Sequence, residues 1–204
     1  MDDRHIDAAE LLRRKSRQHY WASSRRTTPP KKYNPSVKKA NDYVVLDFET
    51  TGLRAGADQI IQIGAVKYRQ HEQVDVMNQL VNPLRAISSR ITSLTGISND
   101  MVKDEPKIDQ VIHQLIEFIG DLPIVAHNAS FDMGFLYALD NRIEVPSYTV
   151  IDTLKMARKV IVNTPNHKLT TLAHYLNIEY NAHDALEDCL VTAKIYQYCL
   201  NKSI

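Results

Sequence analysis

An apolar run that ends in two acids, DYVVLDFETTGL at residues 42–53, constrains this 204-residue chain more than any other stretch. Strand side chains alternate between faces, so Val45, Asp47 and Glu49 share one side while Val44, Leu46 and Phe48 share the other. Two carboxylates therefore stand on one face, with Cα atoms roughly 6.6 Å apart. The run around them is apolar enough to be buried, where unpaired negative charge is costly, so something positive must meet them. The Thr50-Thr51-Gly52 turn that follows has the small, hydroxyl-bearing composition of a loop closing over a ligand. Alone, a D-x-E pair fits equally well a strand that ends in solvated acids.

The length suits one domain with additional residues at one end, and apolar residues at 44% with charged residues at 24% exclude a mostly disordered chain. No apolar run is long enough to span a bilayer and residues 1–30 lack a secretion-signal stretch, so a cytoplasmic location is expected. Cys189 and Cys199 fall ten residues apart on one predicted helix, roughly 15 Å along its axis, too far to pair. They read as reduced thiols.

The net charge of +1 hides an asymmetry: residues 1–40 hold eleven Lys or Arg against four acids. The division expected is a basic N-terminal extension, residues 1–41, and a domain spanning 42–204. Residues 6–18 suit a short basic helix, and 23–41, rich in Ser, Thr, Pro and Lys, suit an extended linker. Such a segment serves either as an electrostatic arm on a polyanion, with Tyr20, Trp21 and Tyr33 stacking on bases, or as a solubilising extension.

Residues 59–69 and 73–83 read as two further strands around Gln70-His71-Glu72, giving an antiparallel meander with the first. Residues 87–101 suit a short helix broken at Thr95-Gly96, a connector or the border of a cleft. In 108–121, Ile108, Val111, Ile112, Leu115, Ile116 and Ile119 recur at helical spacing, with His113 off the buried stripe. A short strand at 123–127 is followed by Asn128–Ser130, with good capping residues, and a helix from Phe131 to Leu139. Asp132 then sits in a first helical turn beside the C-terminal end of a strand, where open α/β sheets place ligands, although the helix dipole alone also favours an acid there.

Residues 148–160 give a strand and a helix, and 168–178 a further short helix. The last helix begins near Asp184, its stripe formed by Ala185, Leu186, Cys189, Leu190, Ala193, Tyr196 and Leu200. Asp184 with Glu187 resembles a capping box. His183 precedes the helix, in a loop that can fold back over a site, and Asp188 lies one turn in, able to point at the sheet. Taken alone, His183 also fits a surface or capping role.

Three separate segments thus each bring acid to the place where an α/β sheet gathers its ligands. In that order LDFETTGL, HNASFD and HDALED resemble the three motifs of the DEDDh 3′-5′ exonuclease family, which contains the proofreading exonucleases of bacterial replicative polymerases. HDALED fits the family's H-x-A-x-x-D pattern, and ITSLTGIS is similar to the segment between the first two motifs. The resemblance covers residues 42–200, with Phe48 standing where many relatives have Thr.

The resemblance implies a ribonuclease H-like α/β fold, a mixed five-stranded sheet flanked by helices, with two later strands parallel to the first. It implies that Asp47, Glu49, Asp132 and Asp188 bind two divalent cations, Mg²⁺ or Mn²⁺, which suits hard carboxylate ligands; no Cys/His cluster points to zinc. Two such ions roughly 4 Å apart hold the attacking and leaving oxygens of an in-line phosphoryl displacement. His183 would take the proton from the attacking water, a task for which an imidazole's ordinary titration near neutrality is suited.

Thr50, Thr51, Gly52 and Leu53 would hold the terminal nucleotide, Leu53 as a wedge against the last base, with Asn128 and Phe131 shaping the cleft. The partner implied is the 3′ end of a single-stranded nucleic acid, DNA before RNA, cut to nucleoside 5′-monophosphates, with a DNA polymerase subunit as a partner in trans. Two rivals stand beside this reading: an RNA-trimming exonuclease, and a non-catalytic nucleic-acid-binding or polymerase-assembly module. A module freed from catalysis has no reason to retain all five site residues. The choice between DNA and RNA rests on contacts to the sugar 2′ position that no motif identifies.

Overall fold

A computed structural model of the chain describes residues 32–140 and 142–202. The strands are β1 (Asn34–Ser36), β2 (Tyr43–Thr50), β3 (Ile60–Arg69), β4 (Glu72–Leu80), β5 (Ile124–Ala126) and β6 (Thr149–Asp152). The helices are α1 (Ser89–Thr95), α2 (Asn99–Val102), α3 (Ile108–Ile119), α4 (Ser130–Ala138), α5 (Thr153–Val160), α6 (Leu169–Tyr175) and α7 (Ala185–Lys202). The strands form one sheet in the order β1-β6-β5-β2-β3-β4. β2, β3 and β4 are the expected antiparallel meander, and β5 and β6 run parallel to β2.

The sheet has six strands, not five. The sixth, β1, lies inside the stretch read as an extended linker and pairs parallel with β6. Pro35 lacks an N–H and the flanking residues are polar, a composition that sequence reasoning assigns to solvated chain. A three-residue strand at a sheet edge tolerates it. Tyr33 is likewise part of the fold rather than free to stack on bases, because it packs on the core with its ring stacked on Tyr137 at 6.1 Å. The helix expected at 6–18, Tyr20 and Trp21 lie outside the described residues. Short α2, capped by Ser98, was not foreseen. No helix of the described residues is long and apolar enough to cross a membrane.

Alternation along β2 divides the core. Val44, Leu46 and Phe48 enter the layer closed by α3 and α4 through Val111, Ile112, Leu115, Met133 and Leu136. Tyr43 and Val45 face the other layer, closed by Cys189, Ala193, Tyr196 and Leu200 of α7. Asp47 and Glu49 continue that second face toward the C-terminal end of β2, so they point at the start of α7. At fully buried apolar positions, each side chain removed from water contributes about 1.5–3 kcal/mol, and this packing holds the layers against the cost of bringing acids together. The parallel arrangement places the C-terminal ends of β2, β5 and β6 at one edge, where β2 and β6 finish at Thr50 and Asp152 and the turn after β5 carries Asn128.

Candidate active site

The register of β2 on β3 sets Asp47 opposite Gly64 and Glu49 opposite Gln62. Gly64 lets α7 approach: a Cβ there would lie 2.2 Å from the Ala185 carbonyl oxygen and 2.7 Å from the Leu186 nitrogen. Gln62 fastens the helix, accepting the Ala185 N–H at 3.1 Å and donating to Asp184 Oδ2 at 3.2 Å. Asp184 Oδ1 accepts the N–H groups of Leu186 and Glu187, both at 3.1 Å, capping the helix as expected. With the first turn of α7 seated on β3, Asp188 is carried beside Glu49.

Asp132 arrives from the other side. After β5 the chain reverses through Asn128, whose φ of 61° is in the left-handed region that asparagine tolerates better than most residues. Helix α4 starts at once, with Ala129 at its N-cap and no capping side chain, unlike the polar cap read from Asn128–Ser130. Ser130 instead donates to Asn128 Oδ1 at 3.5 Å. Asp132, 2% exposed, accepts at 3.2 Å the backbone N–H of Phe48, the residue between Asp47 and Glu49. One hydrogen bond thereby ties the second acidic segment to the first.

His183 occupies the loop before α7 with φ 68°, a strained choice for a non-glycine residue that turns its ring toward the acids. Ligand atoms of Glu49, His183 and Asp188 all lie within 4.8 Å of one another. Burial shifts every carboxyl of the group upward. Glu49 is pushed up to about 7 by burial and then by the charges of Asp188 and Asp184. Asp132 rises to about 8 through burial, against the opposing pull of N–H donors. Asp188 rises to about 7, again through burial first. Asp47 is held well above the usual carboxylate range by burial and by Asp132, Asp188 and Glu49. Four acids in this space cannot all ionise without a compensating charge.

The residues fit a divalent cation. Asp188 Oδ1 is buried without a hydrogen-bond partner, the oxygens are hard donors, and three ligand atoms from two segments converge on one point. Tyr180, outside the three motifs, directs a buried hydroxyl that also lacks a partner in good geometry toward Asp188, and burial first, then the charge of Asp188, raises its pKa. Sequence reasoning missed Tyr180 because an aromatic in a loop carries no spacing signal.

The acids floor a cleft of about 240 Å³ walled by Thr50, Gly52, Leu53, Asn128 and Phe131, all anticipated. Thr51 does not line it. Its backbone N–H and hydroxyl oxygen both bind the Gln59 backbone, at 2.8 and 3.0 Å, so Thr51 fixes the loop rather than facing the cleft. Gly52 leaves room for Asp58, whose Oδ2 would lie 2.6 Å from a Cβ there. Leu53, 82% exposed, lines the cleft together with Ile91 and Leu94 of α1, which sequence reasoning placed only near a cleft. His127 also lines the wall and was missed, being read as a strand residue.

The fold and this acidic cleft define a phosphodiesterase-type α/β domain built to gather carboxylates around divalent cations. The chain belongs to the exonuclease family, whose model, described as "Exonuclease", matches residues 44–196. The DEDDh resemblance is borne out with it. Among curated relatives, DNA polymerase III PolC-type of Caldanaerobacter subterraneus subsp. tengcongensis is 42% identical over 163 residues, 79% of this chain and 12% of that protein. The PolC-type enzyme of Bacillus subtilis is 44% identical over 155 residues, 74% of this chain and 11% of the relative. The chain therefore spans only about a tenth of the length of these relatives.

Among solved structures, Exonuclease X in complex with 5′ overhanging duplex DNA aligns with TM-score 0.66 and 29% identity, covering 79% of this chain and 92% of that one. The nuclease domain of 3′hExo, described as a DEDDh family member bound to rAMP, aligns with TM-score 0.68 at 22% identity, covering 82% and 96%, a likeness of fold. Exonucleases of this kind use divalent metal ions, and the carboxylate and histidine group described above could hold one.

Proposed function

We propose that this domain is a 3′-5′ exonuclease that removes nucleoside 5′-monophosphates from single-stranded DNA ends, in proofreading or repair, with two Mg²⁺ or Mn²⁺ ions held by Asp47, Glu49, Asp132 and Asp188. The observation that carries this reading is the convergence of Glu49, His183 and Asp188 within 4.8 Å, beside an unpartnered Asp188 oxygen. Bound there, such cations polarise the scissile phosphate and make water a stronger nucleophile at neutral pH.

The protein's own groups do the rest. His183 accepts the proton of the attacking water, its ring held beside Glu49 and Asp188 by the backbone turn at φ 68°. Thr50 donates its hydroxyl to the Gly52 carbonyl at 2.6 Å, shaping the loop under the terminal sugar. Leu53 and Leu94 offer exposed apolar faces to the last base, and Phe131 closes the slot behind it. Asn128, at the rim, is placed to contact the sugar or phosphate.

The PolC-type relatives, of which this chain matches about a tenth, support a DNA polymerase as the partner. The 3′hExo likeness keeps RNA as the second substrate to test. Incubation with 5′-labelled single-stranded DNA or RNA, with Mg²⁺ or chelator, tests the proposal. A ladder shrinking from the 3′ end, dependent on metal and lost in Asp47→Ala, is expected on DNA. Release of the 5′ label as a mononucleotide without a ladder, or cleavage that persists in chelator, contradicts it.

A further inference from the structure

Beside the acidic cleft lies a larger hollow of about 710 Å³. The two share a wall formed by His127, Asn128, His183 and Asp188. The hollow's own side carries Arg158 from the last turn of α5 and Lys168 just before α6. Both are exposed, and neither forms an ion pair among the described residues. Two uncommitted cations thus flank a cleft whose floor is acidic. Leu53, Ile91 and Leu94 line the acidic cleft and not the hollow, and no Lys or Arg lines the cleft itself.

The segment presenting Lys168 is fixed in advance. His127 Nε2 contacts the His167 carbonyl at 2.9 Å, and a carbonyl only accepts, so this nitrogen carries the proton. Its Nδ1 pairs with the Thr153 hydroxyl at 2.9 Å, and burial lowers the His127 pKa, favouring the neutral ring. His167 Nε2 in turn donates to the Ile161 carbonyl at 2.7 Å, and Asn166 Oδ1 accepts the Lys168 N–H at 3.0 Å. The 161–168 loop is held at both ends against the strand and helix that carry the site, so its cations reach a ligand with little ordering cost.

We propose that this hollow is a subsite for the polynucleotide upstream of the scissile bond, with Arg158 and Lys168 on its phosphodiesters. The inference rests on the exonuclease reading above. A strand whose terminal nucleotide lies in the acidic cleft continues past its wall, and among the residues lining the cleft and the hollow the Lys and Arg side chains are Arg158 and Lys168 alone. The leucines of the cleft take the last base, and the cations of the hollow take the backbone. His127 acts as a positioning residue for the loop.

The test compares two substrates in the full chain and in Arg158→Gln/Lys168→Gln. One is a 5′-labelled single-stranded oligonucleotide; the other is the nitrophenyl ester of thymidine 5′-monophosphate, which has no nucleotide beyond the scissile bond. The double variant should raise KM for the oligonucleotide and leave kcat/KM for the ester unchanged. Its KM should also depend less on salt, the log–log slope falling by about 1.4 for two lost contacts to a single strand. An unchanged oligonucleotide KM and salt slope, or an equal loss on both substrates, overturns the subsite while the exonuclease reading stands. A parent protein that cleaves neither substrate overturns both.

Discussion

Gly64 is the position at which a single methyl group should separate folding from catalysis. It lies opposite Asp47, and a Cβ there would meet the Ala185 carbonyl oxygen at 2.2 Å and its carbon at 2.3 Å. Ordinary contact begins near 3.4 Å, so in Gly64→Ala the start of α7 must retreat by about 1.2 Å. Backbone is the obstacle, so no side-chain rotation relieves it. Overpacking of this kind costs about 1–3 kcal/mol, which for a domain this size lowers Tm by roughly 2–4 °C per kcal/mol. Asp188 moves with the helix, and misplacing a reacting group by about 1 Å costs on the order of a hundredfold in rate.

The expected variant is therefore folded, with kcat reduced about a hundredfold, KM for the strand within a few-fold of the parent, and weakened Mn²⁺ binding. Steady-state hydrolysis of a 5′-labelled oligonucleotide, with thermal unfolding on the same samples, reads all of this. Parent-like turnover would refute the argument that close approach of α7 sets the acid geometry.

The buried acids make stability depend on pH in a definite direction. Glu49 and Asp188 near 7 and Asp132 near 8 all sit above their ordinary values, so protonation stabilises the fold. That contribution is complete below about pH 4 and is lost as pH rises through 7 to 8. In chelator, Tm should fall between about pH 6 and about pH 8.5, less steeply in Asp132→Asn, and Mg²⁺ should restore it; a rise over that range contradicts the burial argument. His183→Ala should lower kcat by about 10²–10⁴-fold with Tm unchanged in chelator, and an undiminished rate removes the general-base role. Tyr180→Phe should weaken Mn²⁺ binding roughly tenfold by calorimetry through loss of the hydroxyl facing Asp188, whereas equal affinity assigns Tyr180 to packing alone.

Much of this site is legible in the sequence because its acids lie where periodicity speaks. Asp47 and Glu49 share a strand face, Asp132 opens a helix directly after a short strand, and Asp188 follows one turn after a capping Asp184. Local pattern is silent where tertiary contact decides. Gly64 looks like any strand glycine until α7 is laid on it. Thr51 is indistinguishable from Thr50 by composition, yet its donor and acceptor are both used on Gln59. β1 escapes because a three-residue edge strand containing Pro35 has no propensity signal and is stabilised by pairing with β6. The hollow beside the cleft depends on His127, His167 and Ile161 meeting across 40 residues of sequence, which no spacing rule connects.

Diffraction from crystals soaked in Mn²⁺, recorded at the manganese edge, tests most directly whether the dispersed acids assemble a cation site. Two anomalous peaks roughly 4 Å apart, each about 2.0–2.3 Å from carboxylate oxygens of Asp47, Glu49, Asp132 or Asp188, are the result expected. A well-ordered cleft without a peak at these oxygens, at Mn²⁺ concentrations that support cleavage, would contradict it.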